Sequence, residues 1–145
     1  MKLFSCTISS DLSNIRGIVQ NVLDFLETSF GEIEESNIFE IKVILNELIL
    51  NAIKHGNHCE SCKCVKITAG LTEDACVFFI VEDEGAGYDY TGILENSRAG
   101  AQDFGDLCNI KETGRGLLII KSLCDKIKFN QKGNKVIVLK RLQKI

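Results

Sequence analysis

Proline and tryptophan are absent from this chain, and methionine occurs once. Without proline, nothing forces a break into the helical stretches. Also missing is any run near the ~20 uninterrupted apolar residues of a membrane span. The opening Met1-Lys2-Leu3-Phe4-Ser5 lacks the apolar core of a secretory signal. No membrane partner is therefore expected, and the expected location is the cytoplasm. A basic excess is lacking too: 17 Lys plus Arg stand against 20 Asp plus Glu, a formal charge of −3 without a basic run, which argues against direct nucleic-acid binding. Repeats, low-complexity segments and linkers rich in Gly, Ser or Pro are not found. What is there is 145 residues, 45% of them hydrophobic, about one core's worth of sequence. The expectation is a single domain over residues 1–145.

Seven cysteines are present, an odd count that would leave one thiol unpaired in an oxidising compartment and that a reducing cytosol tolerates. Cys76, ahead of Val77-Phe78-Phe79, and Cys124, after Leu123, sit in apolar runs and are expected in the core, where a free cysteine acts as a small hydrophobe.

The order of elements reads β-α-α-β-β-loop-α-β-β. Leu3 to Ser9 alternates weakly, as a half-buried strand does, and Ser9-Ser10-Asp11 offers helix caps. Leu12, Ile15, Val19, Val22, Leu23, Leu26 and Phe30 then form one helical stripe that Gly31 ends. A second helix runs from Asn37 to His55-Gly56, apolar round most of its circumference and expected to be buried. Val65 to Leu71 and Cys76 to Val81 read as a hairpin whose second strand is central. From Tyr88 to Thr113 the periodicity is lost, with Gly92, Gly100 and Gly105 among polar residues, a length usual for a functional or mobile loop. Gly114-Arg115-Gly116 opens a third helix (Leu117, Ile120, Leu123, Cys124), and two strands around Lys132-Gly133-Asn134 close the chain.

Three motifs carry chemistry. Glu47 and Asn51 lie four residues apart, so ~40° apart around a helix axis, with Lys54 and His55 continuing that edge. A carboxylate and an amide there can grip Mg²⁺, which takes a few hard oxygen ligands and keeps water as the rest. As a solvated polar edge the same residues need no function. Asp83-Glu84-Gly85-Ala86-Gly87 ends the central strand: its carboxylate can accept from an exocyclic amino group, and its glycines let backbone approach a flat ligand such as adenine. Alone, it is also an ordinary glycine turn. Gly114-Arg115-Gly116 at a helix start can hold phosphates through exposed N–H groups and the dipole, with the Arg115 charge added, or can be a hinge.

The three occur in order on suitable elements, and together they resemble the ATP-binding domain shared by gyrase B, histidine kinases and mismatch-repair ATPases. Glu47-Leu48-Ile49-Leu50-Asn51-Ala52 resembles its N box, Asp83-Glu84-Gly85-Ala86-Gly87 its first glycine box, and Gly114-Arg115-Gly116-Leu117 its second. The free-standing size and close spacing are most similar to the anti-sigma-factor serine kinases of bacterial sporulation and stress control. The resemblance implies an α/β (α+β) two-layer sandwich of histidine-kinase-like ATPase fold, with a mixed, largely antiparallel sheet and helices on one face. It implies a homodimer that binds a sigma factor and, using ATP and Mg²⁺, phosphorylates a STAS-type anti-anti-sigma protein on serine. By the same resemblance Glu47 is the catalytic base or water-positioning carboxylate, Asn51 the Mg²⁺ ligand, and Asp83 the adenine contact. Gly85 and Gly87 would shape the base pocket, Gly114, Arg115 and Gly116 would hold phosphates under a lid formed by the preceding loop, and His55 would lie near the nucleotide.

Two rival readings stand beside this one. An ATP-binding module could sequester its partner without kinase activity, and then Glu47 would be dispensable. The segment His55-Gly56-Asn57-His58-Cys59-Glu60-Ser61-Cys62-Lys63-Cys64 carries zinc-ligand residue types at local spacing and a Cys-x-x-Cys, which points to a zinc-based interaction domain or a redox-sensing thiol pair.

Overall fold

The computed structural model describes residues 1–87 and 112–143, with side chains in the second stretch from Arg115 onward. Its elements are β1 (Lys2–Ser9), a 3₁₀ turn (Leu12–Asn14), α1 (Ile15–Phe30), α2 (Glu35–Asn51), a π-helical turn (Ala52–Gly56), β2 (Cys64–Leu71), β3 (Cys76–Glu82), α3 (Glu112–Leu123), β4 (Lys126–Phe129) and β5 (Lys135–Arg141). Among the described residues this is the order read from the sequence. The irregular segment and its expected lid lie outside the described residues over 88–111, together with Gly92, Gly100, Gly105 and Cys108.

The strands form one sheet in the order β1-β2-β3-β5-β4, with all four pairings antiparallel. The sheet is antiparallel among the described strands because β4 and β5 make a hairpin, and β5 returns from its turn running against β3. Period-two alternation sends Val65, Ile67 and Ala69 of β2, Val77, Phe79 and Val81 of β3, and Val136 and Val138 of β5 into the core. The helices cover that face with Val19, Val22, Leu23 and Leu26 of α1, Ile41, Ile44, Leu45, Leu48 and Ile49 of α2, and Leu117 and Ile120 of α3.

Local signals explain the helix ends. Asp11 accepts from the Ser13 N–H at 2.9 Å ahead of the 3₁₀ turn, satisfying an orphan donor. Gly31 takes φ +100° after α1 and donates its N–H to Glu27 O at 3.0 Å. At the other end of the fold, buried Lys140 of β5 donates to Leu123 O at 2.7 Å, closing the C-terminus of α3, and pairs with Glu40 of α2. That one ammonium ties β5 to both helices.

Two expectations about burial are corrected. The second helix buries Ile41, Ile44, Leu45, Leu48 and Ile49 but is not buried all round, since Phe39 is 66% exposed and shares an outer side with Lys42 and Asn46. Cys76 lies outside the core: it opens β3 on the face opposite Val77, half-buried, because alternation overrides the apolarity of its neighbours. Cys124 does pack against the core, half-buried, and desolvation pushes its thiol up from the ordinary 9.0.

Candidate functional site

The last turn of α2 widens where the site begins. Over Ala52–Gly56 the helix becomes π-helical, with the Asn57 N–H on Ala52 O at 2.8 Å and the Cys59 N–H on Ile53 O at 2.8 Å. Such turns are rare and recur at functional sites. Lys54 and His55 sit half-buried in this turn, and Gly56 is buried. One turn back, Asn51 is 7% exposed, and its Nδ2 has no hydrogen-bond partner among the described residues. An orphaned buried amide is costly, on the order of 1–3 kcal/mol, which marks a group awaiting a partner.

Asp83 faces this turn from the end of β3. A Cβ on Gly56 would lie 2.3 Å from the Asp83 carboxylate, so only glycine lets the two elements close to this distance. Asp83 is 7% exposed, and one oxygen accepts from the Gly85 N–H at 2.8 Å. Burial pushes its carboxyl above the ordinary 3.8, against the Gly85 hydrogen bond; nearby Glu82 adds to the rise, and Lys132 and His58 oppose it. Gly85 is equally constrained, for its Cβ would meet Gly56 O at 2.1 Å. Gly87 has φ +95° and would place a Cβ 1.8 Å from Lys132 O, so a side chain there is excluded by conformation and space together.

Between these elements opens a narrow cleft of about 20 Å³, lined by Leu48, Asn51, Ala52, Val81, Asp83 and Leu117, with the β4–β5 turn along its rim. An apolar slot holding a few convergent polar groups is the usual form of a small-molecule site, and at this volume the cleft must open to admit one. Its walls come from the first two motifs and from Leu117, the residue that follows the third.

The third motif enters from α3, with one correction. The helix starts at Glu112, so Gly114, Arg115 and Gly116 lie in its first turns and do not precede it. Two glycines at ~1 kcal/mol each are tolerated there because the helix is packed against α2. Gly116 is buried, and a Cβ on it would stand 2.4 Å from Glu47 Oε2 and 3.6 Å from Asn51 Nδ2. The glycine therefore reserves the space into which the Glu47 carboxylate reaches. Arg115 is exposed at the same end. Of the residues the sequence singled out, Glu47, Asn51 and Gly116 are thus brought together, and Asp83, Gly85 and Gly56 meet across the same cleft.

Sequence reading missed the asparagines that hold the site. Asn57, fully buried, donates to Ser10 Oγ at 2.7 Å and to Cys64 O at 3.0 Å, and accepts from the Glu84 N–H at 2.8 Å. Asn134 exchanges bonds with Asp83: its O accepts from the Asp83 N–H at 2.9 Å and its Nδ2 donates to Asp83 O at 3.0 Å. Asn130 Oδ1 gathers the N–H groups of Gly133, Asn134 and Lys135 and so shapes the turn that Asn134 occupies. Their only sequence signal is an asparagine beside a glycine, at Gly56-Asn57 and Gly133-Asn134. Asn57→Ala is expected to destabilise the fold by about 3 kcal/mol, since it strands the buried Ser10, Cys64 and Glu84 groups. Urea unfolding checks this, and a change under about 1 kcal/mol would contradict it.

The cysteine-rich segment does not assemble a metal centre: among the described residues no three His, Cys, Asp or Glu side chains converge as ligands. His58, Cys59 and Cys62 point outward on an exposed loop.

Comparison with known proteins agrees with this geometry. Residues 8–140 match the family model of the histidine kinase-like ATPase domain. An anti-sigma F factor of Clostridium perfringens is 30% identical over 106 residues, covering 71% of each chain. The anti-sigma F factor of Priestia megaterium is 27% identical over 128 residues, 88% of this chain and 80% of that one. Among solved structures, the RsbU and RsbW domains of Rv1364c from Mycobacterium tuberculosis superpose with a TM-score of 0.66 over 98% of this chain and 32% of that longer one, at 17% identity, a likeness of fold. Among the described residues no helix is long and apolar enough to cross a membrane. A sheet covered by helices on one face, a cleft lined by the first two motifs and by the helix that carries the third, and this set of relatives lead to one conclusion: the chain belongs to the histidine kinase-like ATPase family, among the anti-sigma F factors.

Proposed function

We propose that the chain is an ATP-dependent protein serine kinase acting as an anti-sigma factor in the cytoplasm, where it binds a sigma factor and phosphorylates a STAS-type anti-anti-sigma protein on serine. The observation that carries the reading is the approach of α3 to α2 at Gly116, which leaves the Glu47 carboxylate and the Asn51 amide at the same end of a cleft whose inner wall holds Asp83.

In this reading Asp83 accepts a hydrogen bond from the adenine amino group, with Gly56, Gly85 and Gly87 keeping backbone close to the base. Glu47 takes the proton from the attacking serine hydroxyl or positions it. Arg115 and the first-turn N–H groups around Gly114 neutralise phosphate charge, while Gly116 lets the helix come close. The donor set fits Mg²⁺: the Asn51 amide and the neighbouring Glu47 carboxylate offer hard oxygens, Asn51 would hold the ion through its amide oxygen, and its unpartnered Nδ2 would be left to donate to a phosphate oxygen. When bound, Mg²⁺ shields the phosphates and orients the transferred group. His55, in the π turn beside Gly56, lies near the base end. Homodimerisation is supported by the open sheet face, where Leu3 and Ile137 are exposed and register places Phe78 beside Gly70 and Leu139, and Ile80 beside Ile137.

The test is a calorimetric titration of Mg²⁺-ATP into reduced protein, followed by transfer of labelled γ-phosphate to STAS-type proteins of the same organism. Saturable binding and a phosphoserine product are expected. A folded protein that gives neither overturns the reading.

A further inference from the structure

Among the six described cysteines, Cys59 and Cys62 alone are exposed; Cys6, Cys64, Cys76 and Cys124 are half-buried. Both exposed thiols sit on the loop between the π turn and β2. There the chain turns twice in seven residues: the Glu60 N–H bonds to Asn57 O at 3.0 Å and the Lys63 N–H to Glu60 O at 2.9 Å. Each cysteine holds the third position of one of these turns, so the two are not carried apart as they would be in extended chain. His58 and Cys59 are consecutive non-glycine residues at φ +52° and +57°, a conformation that persists only where the surroundings impose it.

The surroundings are the nucleotide cleft. Before the loop, Gly56 lies against the Asp83 carboxylate, and Asn57 accepts the Glu84 N–H. After it, the Cys64 N–H donates to Glu84 Oε2 at 2.5 Å, while Lys63 O accepts from the Ser10 N–H and Oγ at 3.1 and 2.8 Å. Both ends of the thiol-bearing loop thus grip the segment that follows Asp83. Apart from the approach of Gly56 to Asp83, none of these contacts is used by the phosphoryl-transfer reading, and neither thiol is buried.

We propose that Cys59 and Cys62 form an oxidation-sensitive pair whose disulfide loosens the Asp83–Gly85 segment and weakens nucleotide binding. The oxidant is hydrogen peroxide. One thiolate attacks the peroxide oxygen; the O–O bond breaks, and a sulfenic acid and one water form. The second thiol displaces the sulfenic oxygen as a second water, and the S–S bond closes. Two sulfurs lose two electrons in all, and the peroxide gains them. A disulfide fixes its own Cα separation and dihedral, and a loop already holding two left-handed residues and a fully satisfied Asn57 meets that demand by shifting the bonds it makes. The effect on affinity rests on the ATP reading above; disulfide formation does not.

The test treats reduced protein with hydrogen peroxide, maps disulfides by peptide mass, and follows hydrogen exchange over residues 82–87 and the Mg²⁺-ATP affinity before and after. The expected result is a Cys59–Cys62 link within one chain, faster exchange at Glu84 and Gly85, and a Kd at least five-fold higher, all reversed by dithiothreitol and all missing in Cys62→Ser. A link joining another pair, a cross-link between copies, or unchanged exchange with the Cys59–Cys62 link in place overturns the proposal. Reduced protein that does not bind ATP counts against the nucleotide reading alone, because mapping and exchange still judge the thiol pair.

Discussion

Asp83→Asn yields a folded protein that melts no lower than the wild type yet binds Mg²⁺-ATP at least about tenfold more weakly. The binding loss follows from replacing a carboxylate acceptor with an amide, one end of which is a donor facing the adenine amino donor; a hydrogen bond to a charged group is worth ~1.5–3 kcal/mol. The stability effect has the opposite sign. Burial raises the Asp83 carboxyl above 3.8, so the native state holds its proton to higher pH than the unfolded chain does. Its favourable contribution is complete below the unfolded value and is lost as pH rises through the folded one, so at neutral pH the ionised group is a burden on the fold. Asparagine removes that burden and keeps an oxygen for the Gly85 N–H. The same direction predicts that ATP affinity in the wild type declines, on acidification, at a pH above the 3.8 of an ordinary aspartate. Calorimetry across pH and thermal melts of both proteins check all three statements. A mutant that binds like the wild type contradicts the adenine role, and one that melts several degrees lower contradicts the desolvation argument.

That a binding residue costs stability explains which parts of the site the sequence revealed. Core periodicity is visible because burial of Val65, Ile67, Ala69, Val77, Phe79 and Val81 repeats every second residue, and that of Ile41, Ile44, Leu45 and Leu48 every three or four. Element order and the hairpin followed from those repeats. Glu47, Asn51 and Asp83 stood out because polar side chains in such runs break the pattern. Contacts that depend on two distant segments left no such trace. The need for glycine at 56 comes from Asp83, at 116 from Glu47, and at 87 from Lys132, partners 27, 69 and 45 residues away. The Asn57 and Asn134 side chains bond largely to backbone groups of distant segments, so nothing in the partners' residue types announces the pairing. Cys76 misled because its apolar neighbours describe β3 as a whole, while its own side is set by register. The start of α3 was displaced because helix packing on α2 outweighs the local preference of two glycines.

Glu47→Gln separates a kinase from a nucleotide-gated sequestering module, and its expected effect is the largest of all. Glutamine keeps the size of the side chain that Gly116 accommodates, so Mg²⁺-ATP affinity should stay within about three-fold. Transfer to serine should fall at least 100-fold, because general-base catalysis contributes ~10²–10⁴ and the amide cannot take a proton. Gly116→Ala supplies the companion result. Its Cβ would enter the position 2.4 Å from Glu47 Oε2, and the flexible carboxylate end moves away more readily than either helix. The alanine variant should therefore fold, bind ATP and transfer phosphate poorly, although Glu47 itself is intact. Single-turnover transfer from labelled ATP, measured beside binding for each variant, reads the split directly. Wild-type transfer by Glu47→Gln would remove the carboxylate from the chemistry and leave it a structural neighbour of Gly116. Wild-type transfer by Gly116→Ala alone would show that the carboxylate works from more than one position. A protein that binds ATP but transfers nothing in any form would make nucleotide a conformational ligand, and sigma-factor binding with and without ATP would then be the activity to measure.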